Sequence, residues 1–191
     1  MLAEAAEKIT EWLIENEAIE SEERELYEYA AFNTLHTIVP LFMIMGLGSV
    51  MGLFIESIFL ILPFMVIRKY SGGFHADSQL KCTIYSLMLQ LGFLLFCYDI
   101  KVDSLNVIII IISSVGLYLF SPIDSANRRL DEVDIKRCKR MARIIVSVIL
   151  LLYLTLYVCG KSHLAACISL GIGMCEFLQF PVAIERIIKN V

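Results

Sequence analysis

His75 and Cys82 stand seven residues apart in the polar segment "RKYSGGFHADSQLKC" (Arg68–Cys82), between two long apolar runs. A thiol acts as a nucleophile when it has access to substrate, help in ionising and a base within reach. Cys82 falls where the next apolar run begins. A helix starting there would present its positive end to the thiol, and Lys81 adds a second positive charge. His75 is the histidine near it in sequence; His36 and His163 belong to other segments. Were one helix to run through both residues, seven positions would part them by about 10 Å along the axis, too far for a hydrogen bond. The spacing therefore predicts a helix that begins between them, with Asp77 or Ser78 as N-cap, and a Gly72-Gly73 turn that folds His75 back over the thiol. The competing reading is that a lone thiol at a helix start is a small apolar filler.

The elements that would hold such a pair are visible in the hydropathy. The chain is 58% hydrophobic with mean hydropathy +0.74, and its apolar residues come in blocks long enough to cross a hydrocarbon layer, which takes about 20 residues per helix. The expected fold is all-α: one polytopic membrane domain, residues 1–191, of six transmembrane helices preceded by an N-terminal amphipathic interfacial helical segment over 1–30. The spans are read at 29–47, 49–67, 80–98, 104–121, 142–159 and 164–181. The first two form one apolar stretch pivoting on Gly46-Leu47-Gly48, read as a tight hairpin, with one crossing plus a re-entrant segment as the alternative. Residues 68–80 are the His–Cys loop and residues 122–141 a basic loop. No cleavable signal peptide is expected, because the first thirty residues are acidic and lack a basic stretch before an apolar one.

Charge predicts the orientation. With six spans, fourteen of the sixteen lysines and arginines lie on the side that holds both termini, 68–80 and 122–141; only Lys101 and Lys161 lie opposite. The positive-inside rule makes that side cytoplasmic, in a multi-pass protein of the cell membrane. Residues 1–30 instead carry ten glutamates against Lys8 and Arg24. Leu2, Ala5, Ile9, Trp12, Leu13 and Ile19 recur at helical steps, as expected of a helix lying on the interface with Trp12 at headgroup depth. Its acidic face should repel anionic lipid, which leaves a basic peptide, the protein's own 128–143 segment, or water as its neighbour.

The six cysteines form no C-x-x-C pair and the histidines no cluster, so neither a metal site nor a disulfide framework is expected. Cys97 and Cys159 lie near outer span ends and could pair, but packing is the more ordinary role for every cysteine except Cys82. Glu56, Gln90, Glu176 and Gln179 fall in or near spans, where polar groups face a bundle interior or cavity; Glu56, near an outer end, can also snorkel.

Arg68, then Gly72-Gly73-Phe74-His75-Ala76, then Cys82 together resemble the signature of the accessory gene regulator B (AgrB) family, membrane peptidases of Gram-positive quorum sensing. "SPIDSANRRL" (Ser121–Leu130) is similar to that family's Ala-Pro-Val-Asp-x-x-Asn-Lys-Pro-Leu pattern and is followed by the basic run "KRCKRMAR". Arg128-Arg129 departs from the family's Lys-Pro. The likeness in motifs, span order and size extends over nearly the whole chain.

The resemblance implies a membrane cysteine endopeptidase with Cys82 as nucleophile, His75 as general base, and Arg68, Gly72 and Gly73 supporting the loop. It implies an AgrD-like pro-peptide as substrate, cut before its acidic tail and closed through an acyl-enzyme thioester to a thiolactone or lactone. Asp124 would either orient the imidazole or end a helix as a solvated carboxylate. Lys136, Arg137, Lys139 and Arg140 would anchor the chain at the inner membrane face, grip the acidic tail, or both. The partners are then the pro-peptide and membrane lipid, with no nucleic acid and no cofactor, and a homodimer suits so small a bundle. The rival from another class is a non-catalytic small-peptide transporter or membrane scaffold, with Gln90, Glu176 and Gln179 lining a path, although no internal repeat is apparent.

Overall fold

The computed structural model describes residues 2–72, 79–98, 104–123 and 131–189, with backbone alone at 79, 80, 82, 83, 104, 181 and 183–189. Every regular element among them is helical: α1 (Leu2–Glu15), a 3-10 turn (Ser21–Glu23), α2 (Arg24–Val50), α3 (Phe54–Ser71), α4 (Gln79–Phe96), α5 (Ser104–Phe120), α6 (Glu132–Val158) and α7 (Ser162–Lys189). Helices are what a chain this apolar must form in lipid, where no water can satisfy a backbone group. Ser21–Val50, Glu132–Val158 and Ser162–Phe180 are, by length and composition, long and apolar enough to cross a membrane; Ile84–Phe96 and Leu105–Phe120 are shorter apolar helices. Ile108, Ile111, Ile112 and Val115 of α5 and Val148, Leu151 and Leu154 of α6 are exposed. Apolar faces turned outward in this way fit a multi-pass membrane protein.

Residues 1–44 and 45–191 form two compact units. In the first, α1 buries Ala6 and Thr10, and the Thr10 hydroxyl donates to the Ala6 carbonyl at 3.0 Å. The helix stops in a Schellman motif: Ala18 N–H reaches Leu13 O at 2.9 Å and Glu17 N–H reaches Ile14 O at 3.0 Å, with Glu17 left-handed at φ 54°. Arg24, opening α2, returns to Glu7 at 3.5 Å and Glu11 at 3.2 Å. These exposed pairs contribute at most about 1 kcal/mol each.

In the second unit α7 is the central helix, packing most extensively on α3 and α5. Of its apolar window, 61% is buried, against 22% for that of α6. Contacts along its length give the direction of its neighbours. A Cβ on Gly171 would overlap the Leu60 carbonyl, the Cys175 thiol donates to the Phe64 carbonyl at 3.3 Å, and the Gln179 amide donates to Ser71 O at 2.8 Å. Residue numbers rise together on both helices, so α3 and α7 run parallel. Gly171 and Cys175, four residues apart, form the small-residue stripe that lets two backbones approach in lipid. Helix α5 is parallel as well: Gly173 faces Ile109, Glu176 lies against Gly116, and Gln179 meets Ser121.

Helices α4 and α6 return. Cys97, just past α4, reaches Cys167 near the start of α7. Arg143 of α6 donates to Tyr118 O of α5 at 3.3 Å, its guanidinium 4.8 Å above the Tyr118 ring. One end of the bundle therefore gathers the C-termini of α3 and α5 and the N-termini of α4 and α6. At the other end Glu56 pairs with His163 at 3.3 Å. Glu56 thus has a partner, which the reading of it as a snorkelling side chain did not foresee.

Helix α2 begins at Arg24, ahead of the expected 29, α3 runs on to Ser71, past the expected 67, and three further boundaries differ from those read in the sequence. Helix α2 continues through Gly46 and Gly48 to Val50, and the chain reverses at Gly52, φ +73°. Leu53 N–H to Gly48 O at 2.6 Å and Gly52 N–H to Ser49 O at 3.2 Å make this a second Schellman motif. Gly48 serves close packing instead, since a Cβ there would lie 2.8 Å from Ser57. Helix α6 begins at Glu132, so half of the expected 122–141 loop is helix. Its buried stripe of Cys138, Ala142, Val146, Ile149 and Tyr153 runs unbroken into the apolar part and holds the basic turns in helical form. Helix α7 continues past 181 to Lys189. Of the cysteines, Cys97, Cys138, Cys167 and Cys175 are buried as fillers would be; Cys159 is exposed, and the neighbour of Cys97 is Cys167 instead.

The Gly171 contact is testable. Gly171→Ala should push α3 from α7 and destabilise the protein by about 1–3 kcal/mol, the usual cost of overpacking. Gly92→Ala, where nothing lies within 4 Å, should leave the thermal midpoint in detergent unchanged or raised.

Candidate functional site

The two motif segments converge where α3 and α5 end. Helix α3 finishes at Ser71, and Gly72 follows with φ 69° and ψ −156°, a conformation glycine alone adopts without strain. There the chain forms a parallel bridge between Gly72 and Ile123, through the Ile123 N–H to Ser71 O at 2.9 Å. A Cβ on Gly72 would overlap the Ile123 carbonyl, so side-chain volume and backbone angle both demand glycine. The Arg68 guanidinium donates to the Gly72 carbonyl, and the Ser71 hydroxyl reaches the same oxygen at 3.3 Å. Arg68 thereby caps the helix that carries it, a cation on the negative end of α3.

From the α7 side, Gln179 Nε2 donates to Ser71 O at 2.8 Å and to Ser121 Oγ at 3.1 Å. Ser71, Ser121 and Gln179 are 0%, 2% and 2% exposed, so this polar junction is closed off from solvent. Gln179 was legible only as a polar residue in an apolar run; its partners lie 108 and 58 residues away in sequence. Ser71 carries no signal in the sequence, and Ser121 and Ile123 carry one only as members of the Ser121–Leu130 motif.

Of the residues singled out in the sequence, Arg68 and Gly72 are brought into direct contact. Gly73, His75 and Asp124 lie outside the described residues, as do both candidate N-caps, Asp77 and Ser78. Gly72 precedes the His75 segment and Ile123 immediately precedes Asp124, so the bridge joins the roots of both motifs. Cys82 lies on α4, three residues after Gln79, with its backbone alone described. Lys136, Arg137, Lys139 and Arg140 are exposed on the first turns of α6, flanking buried Cys138. They share the end of the bundle at which α4 begins. At 27 residues α6 is about 40 Å long, beyond the roughly 30 Å of a hydrocarbon core. Its basic turns have length to spare outside that core. No group of three or more His, Cys, Asp or Glu side chains suited to a metal ion occurs among the described residues.

Gly72→Ala should break the bridge without unfolding the helices. Holding a non-glycine residue at this φ and ψ costs about 1–3 kcal/mol. Exchange of the Ile123 amide hydrogen should accordingly quicken on the order of tenfold, while Gly46→Ala, where nothing lies within 4 Å, leaves it unchanged.

Comparison with known proteins places the chain among relatives of one kind. The chain is 26% identical over 132 residues to AgrB-like protein 2 of Clostridium perfringens (strain 13 / Type A), covering 65% of this chain and 61% of that protein. It is 26% identical over 149 residues to AgrB-like protein 1 of the same strain, covering 77% and 80%. With an AgrB-like protein of Listeria monocytogenes serotype 4a (strain HCC23) it shares 32% identity over 107 residues, 53% of this chain and 51% of that one. No solved structure matches significantly. The family model for Accessory gene regulator B matches residues 6–180, a stretch that includes both motif segments, Cys82 and Gln179. The chain belongs to the accessory gene regulator B family.

Proposed function

We propose that this protein is a membrane cysteine endopeptidase that removes the C-terminal tail of an AgrD-like pro-peptide and cyclises the remainder. The observation that carries the reading is the Gly72–Ile123 bridge. It roots the segment leading to His75 beside the segment leading to Asp124, at the end of the bundle where α4 carries Cys82 in its first described turn. Family membership supplies the substrate class.

In this reading the Cys82 thiolate attacks the carbonyl carbon before the acidic tail. As the tetrahedral adduct collapses, the C–N bond breaks and His75, protonated, gives its proton to the departing amine. The acyl group is left on Cys82 as a thioester. The pro-peptide's own thiol or hydroxyl then attacks that carbonyl, His75 takes the proton, and Cys82 leaves as the thiolate. Water would intercept the thioester in an open site; a membrane boundary keeps water scarce. Asp124, next to Ile123 in sequence, is assigned to orient His75.

The same proposal includes six crossings with both termini cytoplasmic and an N-terminal helix on the inner interface. The parallel course of α3, α5 and α7 supports an alternating path, and the basic bundle end supports its direction. The glutamate-rich α1 segment would guide the pro-peptide's amphipathic head, while the basic first turns of α6 receive its acidic tail.

Cys82→Ala should abolish cleavage of the pro-peptide yet leave it bound, whereas Cys138→Ala and Cys167→Ala stay within a few-fold of wild type; processing by the Cys82 variant would sink the reading. Exposed charge pairs contribute about 0.2–1 kcal/mol each, so single changes at the basic turns should be mild. Reversing Lys136, Arg137, Lys139 and Arg140 to glutamate together should raise KM at low salt, with the gap narrowing as salt is added and kcat little changed. A fall in kcat at constant KM would place the first turns of α6 in the catalytic architecture instead.

A further inference from the structure

We infer that Gln179 is a positioning residue for this reaction: its side-chain amide locks the segment leading into His75 against the segment leading into Asp124. The inference rests on the peptidase reading above. Both hydrogens of one nitrogen are used, one on Ser71 O at 2.8 Å and one on Ser121 Oγ at 3.1 Å. Ser71 stands four residues before His75, and Ser121 three before Asp124.

Burial argues that the amide is there for its donors. Gln179 is 2% exposed, and its Oε1 has no hydrogen-bond partner among the described residues. An acceptor left so is unfavourable in an interior, and an apolar side chain of similar size would avoid it. What leucine cannot do is donate twice from one point to two chain segments. Asparagine is a methylene too short to span the same gap. Ionised glutamate donates nothing and would set its charge against the Ser71 carbonyl; protonated glutamate donates once.

The lock is also separable from the fold. Ser71 O keeps its bond from the Ile123 amide without Gln179, and Gly171 and Cys175 still hold α7 to α3. Loss of the amide should therefore loosen the lateral register of the two loop roots while the bundle persists. A misplacement of about 1 Å at a reacting group costs on the order of a hundredfold in rate.

The test compares Gln179→Leu and Gln179→Glu with wild type in detergent or vesicles on the cognate pro-peptide, with Cys82→Ala alongside. Gln179→Leu should lower kcat by at least about tenfold, with KM within about twofold and the thermal midpoint close to wild type. Gln179→Glu, as a ratio to wild type at each pH, should gain activity toward acid as the carboxyl regains one donor. The inference is overturned if Gln179→Leu turns over like wild type, if its lost activity only tracks lost folded protein, or if the Gln179→Glu ratio is flat with pH. Cleavage by Cys82→Ala would overturn the peptidase reading and this inference with it. An inert Cys82→Ala beside a fully active Gln179→Leu removes the inference alone.

Discussion

The Ser71 carbonyl oxygen accepts from two directions at once, from the Ile123 amide at 2.9 Å and the Gln179 side chain at 2.8 Å. The last carbonyls of a helix have no partner within it, and at 0% exposure water cannot supply one. Something from elsewhere in the chain must reach them. Here one donor comes from just past α5 and the other from α7, so a single oxygen joins the ends of three helices. Arg68 completes the closure by taking the next carbonyl, that of Gly72. The demand of a buried backbone for partners is what draws the two motif segments together.

Upstream of that oxygen the bundle supplies alignment. The approach of α7 to α3 through Gly171 and Cys175 sets the depth at which Gln179 arrives, and the contacts of Gly173 and Glu176 with α5 set it for Ser121. Small side chains deep in the bundle and a polar one at its end are consecutive parts of one helix face. The charged turns of α6 belong to a different layer. They are exposed, and their attractions are weak and screened, so they do not fix any atom's position.

Much of this was legible in the sequence, and the failures have physical causes. The apolar blocks gave helices because lipid allows little else, and α4 and α5 lie within two residues of the expected spans. The first reversal was misplaced because glycine answers two needs that look alike in sequence. At Gly48 it admits Ser57; at Gly52 it turns the chain. Helix α6 was cut short because four bases in five residues look like a loop, whereas Cys138 and Ala142 between them continue the buried stripe. The His75–Cys82 segment stands out by its residue types and Ser121–Leu130 by its family resemblance, but the bridge between them does not. Hydrogen bonds from Gln179 that span 58 and 108 residues leave no local periodicity to read.

The central helix of the bundle follows in sequence every helix it packs against, and this bears on how the molecule comes to be made. Membrane helices can insert one by one and associate afterwards. Until α7 leaves the ribosome, α3 and α5 lack the helix that both pack against, and Ser71 and Ser121 lack the amide that ties them. A nascent chain carrying everything through α6 already contains both motif segments and Cys82, yet lacks the helix on which α3 and α5 pack most extensively. The two motif segments therefore gain their tie through α7 only once Gln179 has emerged. A chain interrupted before that point would carry both motif segments without the amide that joins Ser71 to Ser121.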